Sequence, residues 1–158
     1  MKHEEKETKR IGWREWMSIP ALGIDHIKAK VDTGARSSAL HTFDLETYAV
    51  ESGENRVRFR IHPLPGDSAT EVACDWPVHA TRSVRDSGGH EQERPFILVP
   101  LVLGDYTWDV EVSLTNRDNM KFRMLLGRSA IAGRFVVDPE NSYLIGKRYA
   151  VPSRPGPE

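Results

Sequence analysis

The sequence predicts an all-β fold, a small barrel or sandwich with one short helix near its C-terminal end. Apolar and polar residues alternate with a period of two, as in NRVRFRI at residues 55–61, which is the pattern of a half-buried strand. Turn residues recur between these short segments, and helical periodicity is almost absent. A chain of 158 residues is long enough to bury one hydrophobic core, so we expect one main domain.

The first half of that domain is predicted to be a series of short strands behind a tail. Residues 1–10 are charged and are expected to be disordered, residues 11–150 to form the domain, and the Pro-rich residues 151–158 to extend from it. Residues 13–23 combine two tryptophans with a proline and a glycine, which is typical of a lead-in strand and a loop. The next predicted strands lie at residues 27–31, 55–61 and 72–76.

The second half is predicted to form two hairpins with the helix between them. Residues 95–103 and 107–114 flank the turn residues GDY, which indicates a hairpin. Residues 122–133 pass from an apolar strand end through a glycine into the short helix. Residues 134–145 are expected to form a last hairpin that turns at a Pro-Glu-Asn step.

The composition gives no reason to expect nucleic-acid or membrane binding. The net charge is -1, so no strong field attracts either partner. The longest apolar run, residues 96–103, is too short to cross a bilayer, and the N-terminal residues have no secretion signal. The single cysteine, Cys74, allows no internal disulfide and fits a reducing compartment. We therefore expect a cytoplasmic protein.

A candidate catalytic group lies in KAKVDTGARSSALH, residues 28–41. Asp32 ends a predicted strand, and Thr33 and Gly34 follow in a turn that glycine makes easily. Two carboxylates about 3 Å apart share one proton, so that one activates water while the other protonates the substrate carbonyl. Because the chain has one Asp-Thr-Gly motif, the second carboxylate would come from another copy, which predicts a homodimer. In isolation, however, Asp-Thr-Gly is also a common turn without a catalytic role.

A second segment favours the catalytic interpretation. MLLGRSAI, residues 124–131, places an apolar pair before Gly127 and Arg128. Together with VDTGA at residues 31–35, it resembles the retropepsin-like aspartic proteases. The resemblance implies a closed β-barrel of the retropepsin type and a dimeric aspartic peptidase. It assigns Asp32, Thr33 and Gly34 to the catalytic site and makes Gly127 and Arg128 a structural motif.

Four blocks in the same order narrow the resemblance to one bacterial group. They lie at residues 31–41, 93–95, 115–131 and 137–146 and cover most of residues 12–146. The group is often labelled "ATP-dependent zinc protease" and includes the RimB protease. The resemblance implies a functional link to an ATP-grasp ligase, which adds glutamates to the C-terminus of a ribosomal protein, and a protease that trims those tails.

The zinc and ATP in that label have no counterpart in the residues. The six histidines form no HExxH motif and no Cys/His pair at ligand spacing, and no Gly-Lys-Ser/Thr loop could hold a phosphate. We therefore expect no metal site and no cofactor.

Arg36 departs from the retropepsin pattern. Typical members have an acidic residue there, which pairs with the arginine of the Gly-Arg block, so Arg128 needs another partner and the dimer is open to a different assembly. Ser129 also replaces the usual Asp or Asn. A guanidinium beside the catalytic turn would favour an acidic substrate side chain. The expected substrate-binding residues are Ala35, Arg36, Ser38, Arg94 and Arg117.

Several alternatives remain open at this point. The arginines are also explained as solvated or structurally paired surface residues. The Gly-Gly loop in residues 83–96 is either a flap over the substrate or a plain loop, and His41 is either a core residue or a support of the site. A broad-specificity endopeptidase and a catalytically silent peptide-binding module are the rival functions.

Overall fold

The computed structural model describes residues 9–64, 66–85, 88–117 and 119–146, and it confirms the all-β prediction. The strands are β1 (Lys9–Gly12), β2 (Arg14–Ile19), β3 (Ile24–Asp32), β4 (Ser38–Ala49), β5 (Asn55–Ile61), β6 (Val72–Pro77), β7 (Ala80–Arg85), β8 (Glu91–Leu103), β9 (Tyr106–Asn116), β10 (Met124–Gly127) and β11 (Phe135–Asp138). The short helix α1 (Arg128–Ile131) follows β10, as predicted. Lys9 and Arg10, the end of the predicted tail, belong to β1, whereas residues 151–158 lie outside the described residues.

Six strands form a closed ring, which confirms the barrel prediction. Their order is β10-β3-β2-β8-β9-β4, and an antiparallel pairing of β4 with β10 joins the two ends. β5 and β6 continue from β4, and β7 pairs with β8. The predicted hairpin of residues 95–114 is confirmed as β8 and β9, with Leu103 opposite Tyr106.

Every second residue of the ring strands enters the core, because side chains alternate between the two faces of a strand. In β3 these are Ile27, Ala29 and Val31. The other large contributions come from Leu40 of β4, Ile97, Val99, Leu101 and Leu103 of β8, Val110, Val112 and Leu114 of β9, and Met124 and Leu126 of β10. The intervening residues of these strands therefore face away from this core, and Asp32 is one of them.

The predicted last hairpin is wrong. β11 pairs in parallel with β1, so that Phe135 lies opposite Lys9, instead of pairing with the residues that follow it. A turn does form where it was expected, since the Asp138 carboxylate accepts the Glu140 N–H at 2.8 Å. The chain beyond the turn instead follows the start of β2, where the Tyr143 N–H donates to the Arg14 carbonyl at 3.0 Å.

The buried carboxylate of Glu15 explains why this last segment joins β2. Glu15 has no exposed surface, and its two oxygens accept four backbone N–H groups. The donors are Gly12 at 2.6 Å, Leu144 at 2.9 Å, Ile145 at 3.2 Å and Gly146 at 2.6 Å. One side chain thus fastens residues 144–146 to the ring, a contact that strand periodicity does not reveal.

Candidate active site

Asp32 is the last residue of β3, and its carboxylate is half-buried at the start of a tight turn. The Gly34 N–H donates to Asp32 Oδ1 at 3.0 Å, and the Ala35 N–H donates to the Asp32 carbonyl at 3.2 Å. The turn therefore holds one carboxylate oxygen in place at the end of a strand whose other residues are anchored in the core.

The requirement for glycine at position 34 differs from the sequence-based explanation. Gly34 is not among the residues with a left-handed backbone. A Cβ atom at this position would instead lie 3.3 Å from Asp32 Oδ1. Glycine thus leaves room for the carboxylate, and a larger residue would push against the group that the turn holds.

Gly127 lies directly beside Asp32, because β10 runs parallel to β3 and places the two residues in register. The Gly127 N–H donates to the buried Ser38 hydroxyl at 3.0 Å. A Cβ at position 127 would lie 2.4 Å from the carbonyl carbon and oxygen of Ser37, which no side chain could relieve. Glycine is therefore needed for the close approach of β10 to the chain that follows the Asp-Thr-Gly turn.

Arg128 finds its partner in the backbone of the turn. Its guanidinium donates to the Thr33 carbonyl at 3.0 Å, and its N–H donates to the Ala35 carbonyl at 2.7 Å. The next amide, that of Ser129, donates to the Arg36 carbonyl at 3.0 Å. Three hydrogen bonds thus join the start of α1 to the carbonyls of Thr33, Ala35 and Arg36, without an acidic residue at position 36.

The structure divides the expected substrate-binding residues into two groups. Ala35 and Arg36 lie in the turn itself, and Arg36 is exposed, with no side-chain partner in the described part of the chain. Ser38 has no exposed surface, so in this conformation it holds Gly127 and does not face a substrate. Arg94, in β8, and Arg117, after β9, belong to a different place, near His41.

His41 is a residue whose role the sequence left undecided. It is only 4% exposed, and its Nδ1 shares a hydrogen bond with Thr115 Oγ1 at 2.7 Å. Burial, followed by the positive charges of three arginines, lowers the pKa of His41 to about 4, so the ring is neutral at pH 7. The three arginines are Arg117, Arg94 and Arg123. Arg123 was not predicted, because only the pairing of β10 with β4 brings it to His41.

The model of one protein family, described as the retropepsin-like aspartic endopeptidase RimB, matches residues 10–148. The chain belongs to this RimB-like family. The match includes the Asp32 turn, the Gly127-Arg128 motif and the strands that bring them together.

Relatives of this RimB-like chain include proteins named probable alpha-L-glutamate ligase. Those of Desulfotalea psychrophila and Parasynechococcus marenigrum are 44% identical to it over 139 and 137 residues, and that of Shewanella pealeana is 40% identical over 138 residues. The alignments cover 86–88% of this chain but only 29–30% of the relatives. A solved Legionella pneumophila protein of unknown function has a TM-score of 0.72 and 25% identity, covering 88% of this chain and 99% of its own.

The segment considered as a flap is an antiparallel hairpin of β7 and β8. Ala80 lies opposite Phe96 and Arg85 opposite Glu91, and Gly89, near the tip, has a φ of +86°. The hairpin is anchored on β9, where Arg82 forms a 2.7 Å ion pair with Glu111. Its function as a flap in the RimB-like chain stays a prediction.

Zinc does not fit the donors that the structure describes. No three His, Cys, Asp or Glu side chains within the described ranges lie close enough to hold a metal ion. Burial raises the pKa of the Cys74 thiol to about 12, which opposes the thiolate form that binds zinc. His62 lies 3.7 Å from a carboxylate oxygen of Glu71, and His79 lies 3.3 Å from one of Glu111. In the same part of the chain, no helix is long and apolar enough to cross a membrane.

Proposed function

We propose that this RimB-like chain is an aspartic peptidase whose catalytic carboxylate is Asp32. The observation that carries the proposal is the turn geometry, in which Gly34 holds one Asp32 oxygen and Arg128 holds the Thr33 carbonyl. Catalysis requires groups that are positioned before the substrate arrives. A common surface turn would not need these tertiary contacts.

The reaction needs a second carboxylate, which we assign to the Asp32 of a second copy in a homodimer. One carboxylate of the pair accepts a proton from water as the water oxygen attacks the scissile carbonyl carbon. The other donates its proton to the carbonyl oxygen, which gives a neutral tetrahedral intermediate. Collapse of this intermediate breaks the C–N bond, the nitrogen takes up a proton, and the acid and amine products leave.

Acidic peptides are the proposed substrates, in particular glutamate-rich tails. Arg36 is exposed beside the turn and has no carboxylate partner among the described residues, so its charge is available to a substrate. A guanidinium binds a carboxylate by charge-assisted hydrogen bonds that an uncharged side chain cannot replace. The names of the relatives agree with this class, because a ligase that adds glutamate makes a substrate for an enzyme that removes it.

The link to a glutamate ligase is proposed on the same grounds. About 30% of each relative named as a ligase corresponds to nearly all of this chain. A ligase and a peptidase with opposite activities on the same tail would together set its length. We expect this RimB-like chain to act on the product of such a ligase.

A catalytically silent peptide-binding module is the second candidate, and one observation favours it. Arg128 and Ser129 make their hydrogen bonds within one chain, so the turn is held without a second copy. A monomer with this turn could bind a tail but would hold only one carboxylate. A broad-specificity endopeptidase would instead share the dyad but ignore the charge of the substrate.

Cleavage of matched peptides tests these candidates. We expect the wild-type protein to cleave a peptide with a C-terminal oligoglutamate tail, to leave the oligoglutamine version largely intact, and to lose cleavage in Asp32→Asn. Mass spectrometry of the products gives the bond that is broken. Equal cleavage by Asp32→Asn would contradict the proposed mechanism, equal cleavage of both peptides would favour broad specificity, and a strict monomer without activity would favour the binding module.

A further inference from the structure

One side of the ring connects Asp32 with a second group of functional side chains. In β3, Val31 belongs to the core, so the next residue, Asp32, faces the other side. In β10, Leu126 belongs to the core, so Leu125 faces the same side as Asp32. Arg123, two residues before Leu125, continues this face just beyond the start of β10.

His41 and Thr115 lie at the far end of this face. The backbone N–H of His41 donates to the backbone carbonyl of Arg123 at 2.8 Å, and this hydrogen bond places the start of β10 against β4. His41 pairs with Thr115 of β9 in the parallel register, and their side chains meet at 2.7 Å. Arg117 follows Thr115 by two residues and is exposed at the end of β9.

Arg94 reaches the same place from the other neighbour of β9. Phe96 of β8 lies opposite Ser113 of β9 in the antiparallel pairing, so Arg94 continues toward Thr115. Arg94 is half-buried, and its Nε donates to the Gln92 side chain at 3.1 Å. Three different segments, namely β8, the residues after β9 and the residue before β10, thus each supply an arginine to the surroundings of one histidine.

Positive charge surrounds His41. The charges of all three arginines oppose protonation of its ring. His41 Nε2 is buried and has no hydrogen-bond partner in the described part of the chain. A neutral imidazole keeps the site from gaining a fourth positive charge, which would repel the arginines further.

We propose that Arg94, Arg117 and Arg123 form a carboxylate-binding subsite that selects an acidic substrate side chain about four residues from the scissile bond. This inference rests on the proposed peptidase function and adds the position at which acidity is read. Gly127, beside Asp32, and Arg123, just before β10, are four positions apart in the chain, which is roughly 13 Å at the rise of a strand. An extended peptide that follows this face covers the same distance in the same number of residues.

Binding to an inactive variant tests the subsite apart from catalysis. Fluorescence anisotropy would compare labelled hexaglutamate and hexaglutamine on Asp32→Asn, with Arg117→Gln or Arg123→Gln added, and with Arg60→Gln as a control on β5. We expect each subsite change to weaken hexaglutamate binding by about tenfold, the worth of one hydrogen bond to a charged group, and Arg60→Gln to change it little. Equal weakening by all three, or no preference for hexaglutamate over hexaglutamine, would overturn the subsite.

A positional series locates the subsite and separates its failure from that of the peptidase. Single glutamates would be moved along an oligoglutamine peptide, from one to six residues on either side of the bond that the wild-type protein cleaves. We expect the KM to fall when glutamate stands about four residues away on one side, and Arg117→Gln to remove that dependence of the KM on the position of the glutamate. Cleavage with no positional effect would overturn the subsite but leave the peptidase. Charge-selective binding without cleavage by the wild-type protein would overturn the peptidase function but not the anion site.

Discussion

The guanidinium of Arg128 donates a hydrogen bond to the carbonyl of Thr33, the residue that follows Asp32. The two residues are 95 positions apart in the chain, so the bond forms only when β10 lies beside β3. Because the partner is a backbone carbonyl, Arg128 can hold the turn even though position 36 carries an arginine.

Replacing Arg128 with methionine should therefore impair catalysis more than stability. The loss of one charged hydrogen bond at an exposed site should cost about 1 kcal/mol of unfolding free energy, while the freed Thr33 carbonyl lets the turn move. We expect kcat on a glutamate-tailed peptide to fall at least about tenfold. Arg58→Met, an exposed arginine of β5, is the control, and equal kcat values in the two variants would contradict a role of Arg128 at the turn.

Alanine at the two motif glycines should have opposite effects on stability and activity. Gly127→Ala places a methyl group 2.4 Å from the Ser37 backbone and should lower the unfolding free energy by roughly 2 kcal/mol or more. Gly34→Ala presses 3.3 Å from the Asp32 carboxylate, which can shift, so it should cost less stability but lose activity. Urea denaturation and peptide cleavage check both. A Gly127→Ala protein as stable as wild type would show that the close approach does not exist.

Glu15→Gln should loosen the end of the chain from the ring. Glutamine would replace one carboxylate oxygen with an amide NH2 group, which would face backbone N–H donors and could not accept their hydrogen bonds. The change should lower the unfolding free energy by about 3 kcal/mol. Hydrogen exchange at the amides of residues 144–146 should accelerate together. Glu140→Gln is the matched control on the surface, and an equally small loss of stability in both variants would refute the role of Glu15 as a fastening residue.

His41 should make the fold less stable in acid. Its folded pKa, about 4, lies below its ordinary value of 6.5, so the unfolded chain binds more protons between these values and stability falls as pH drops through this window. The contribution of His41 to this loss should be roughly 3 kcal/mol between pH 7 and pH 4. His41→Asn keeps a polar atom near Thr115 but does not titrate.

Urea denaturation at pH 7 and pH 4.5 measures this effect. We expect His41→Asn to lose less unfolding free energy over that interval than the wild-type protein. The same pH dependence in His41→Asn and wild type would mean that His41 is not held neutral. A loss of stability in acid would also limit the pH range over which the proposed peptidase works.

The parts of the site that the sequence predicted are those encoded by short segments. Strand alternation places Ile27, Ala29 and Val31 in the core, which fixes the end of β3 and therefore Asp32. The Gly127-Arg128 motif is also local, and its proximity to the segment of the Asp-Thr-Gly turn was inferred from the retropepsin resemblance. The predicted reason for glycine at position 34, a backbone conformation that glycine adopts easily, was wrong. The backbone angles of a glycine cannot be read from its presence in a turn.

The unpredicted parts depend on pairings between distant segments. β11 resembles the first half of a hairpin, but its partner is β1, more than a hundred residues earlier. Glu15 appears from its position in β2 to be a polar strand residue, and only the fold brings three amides of the last segment to it. Arg123 likewise reaches His41 only through the closure of the ring by β4 and β10.

Mixing the wild-type protein with Asp32→Asn tests most directly whether two Asp32 carboxylates form one active site. A fixed amount of wild-type protein would be equilibrated with increasing Asp32→Asn above the dimer dissociation constant, and cleavage of a glutamate-tailed peptide would be measured. Because a mixed dimer holds one aspartate, activity should fall to about half at equal amounts and to about a quarter at threefold excess. Wild-type activity that does not change with added Asp32→Asn would contradict a shared dyad.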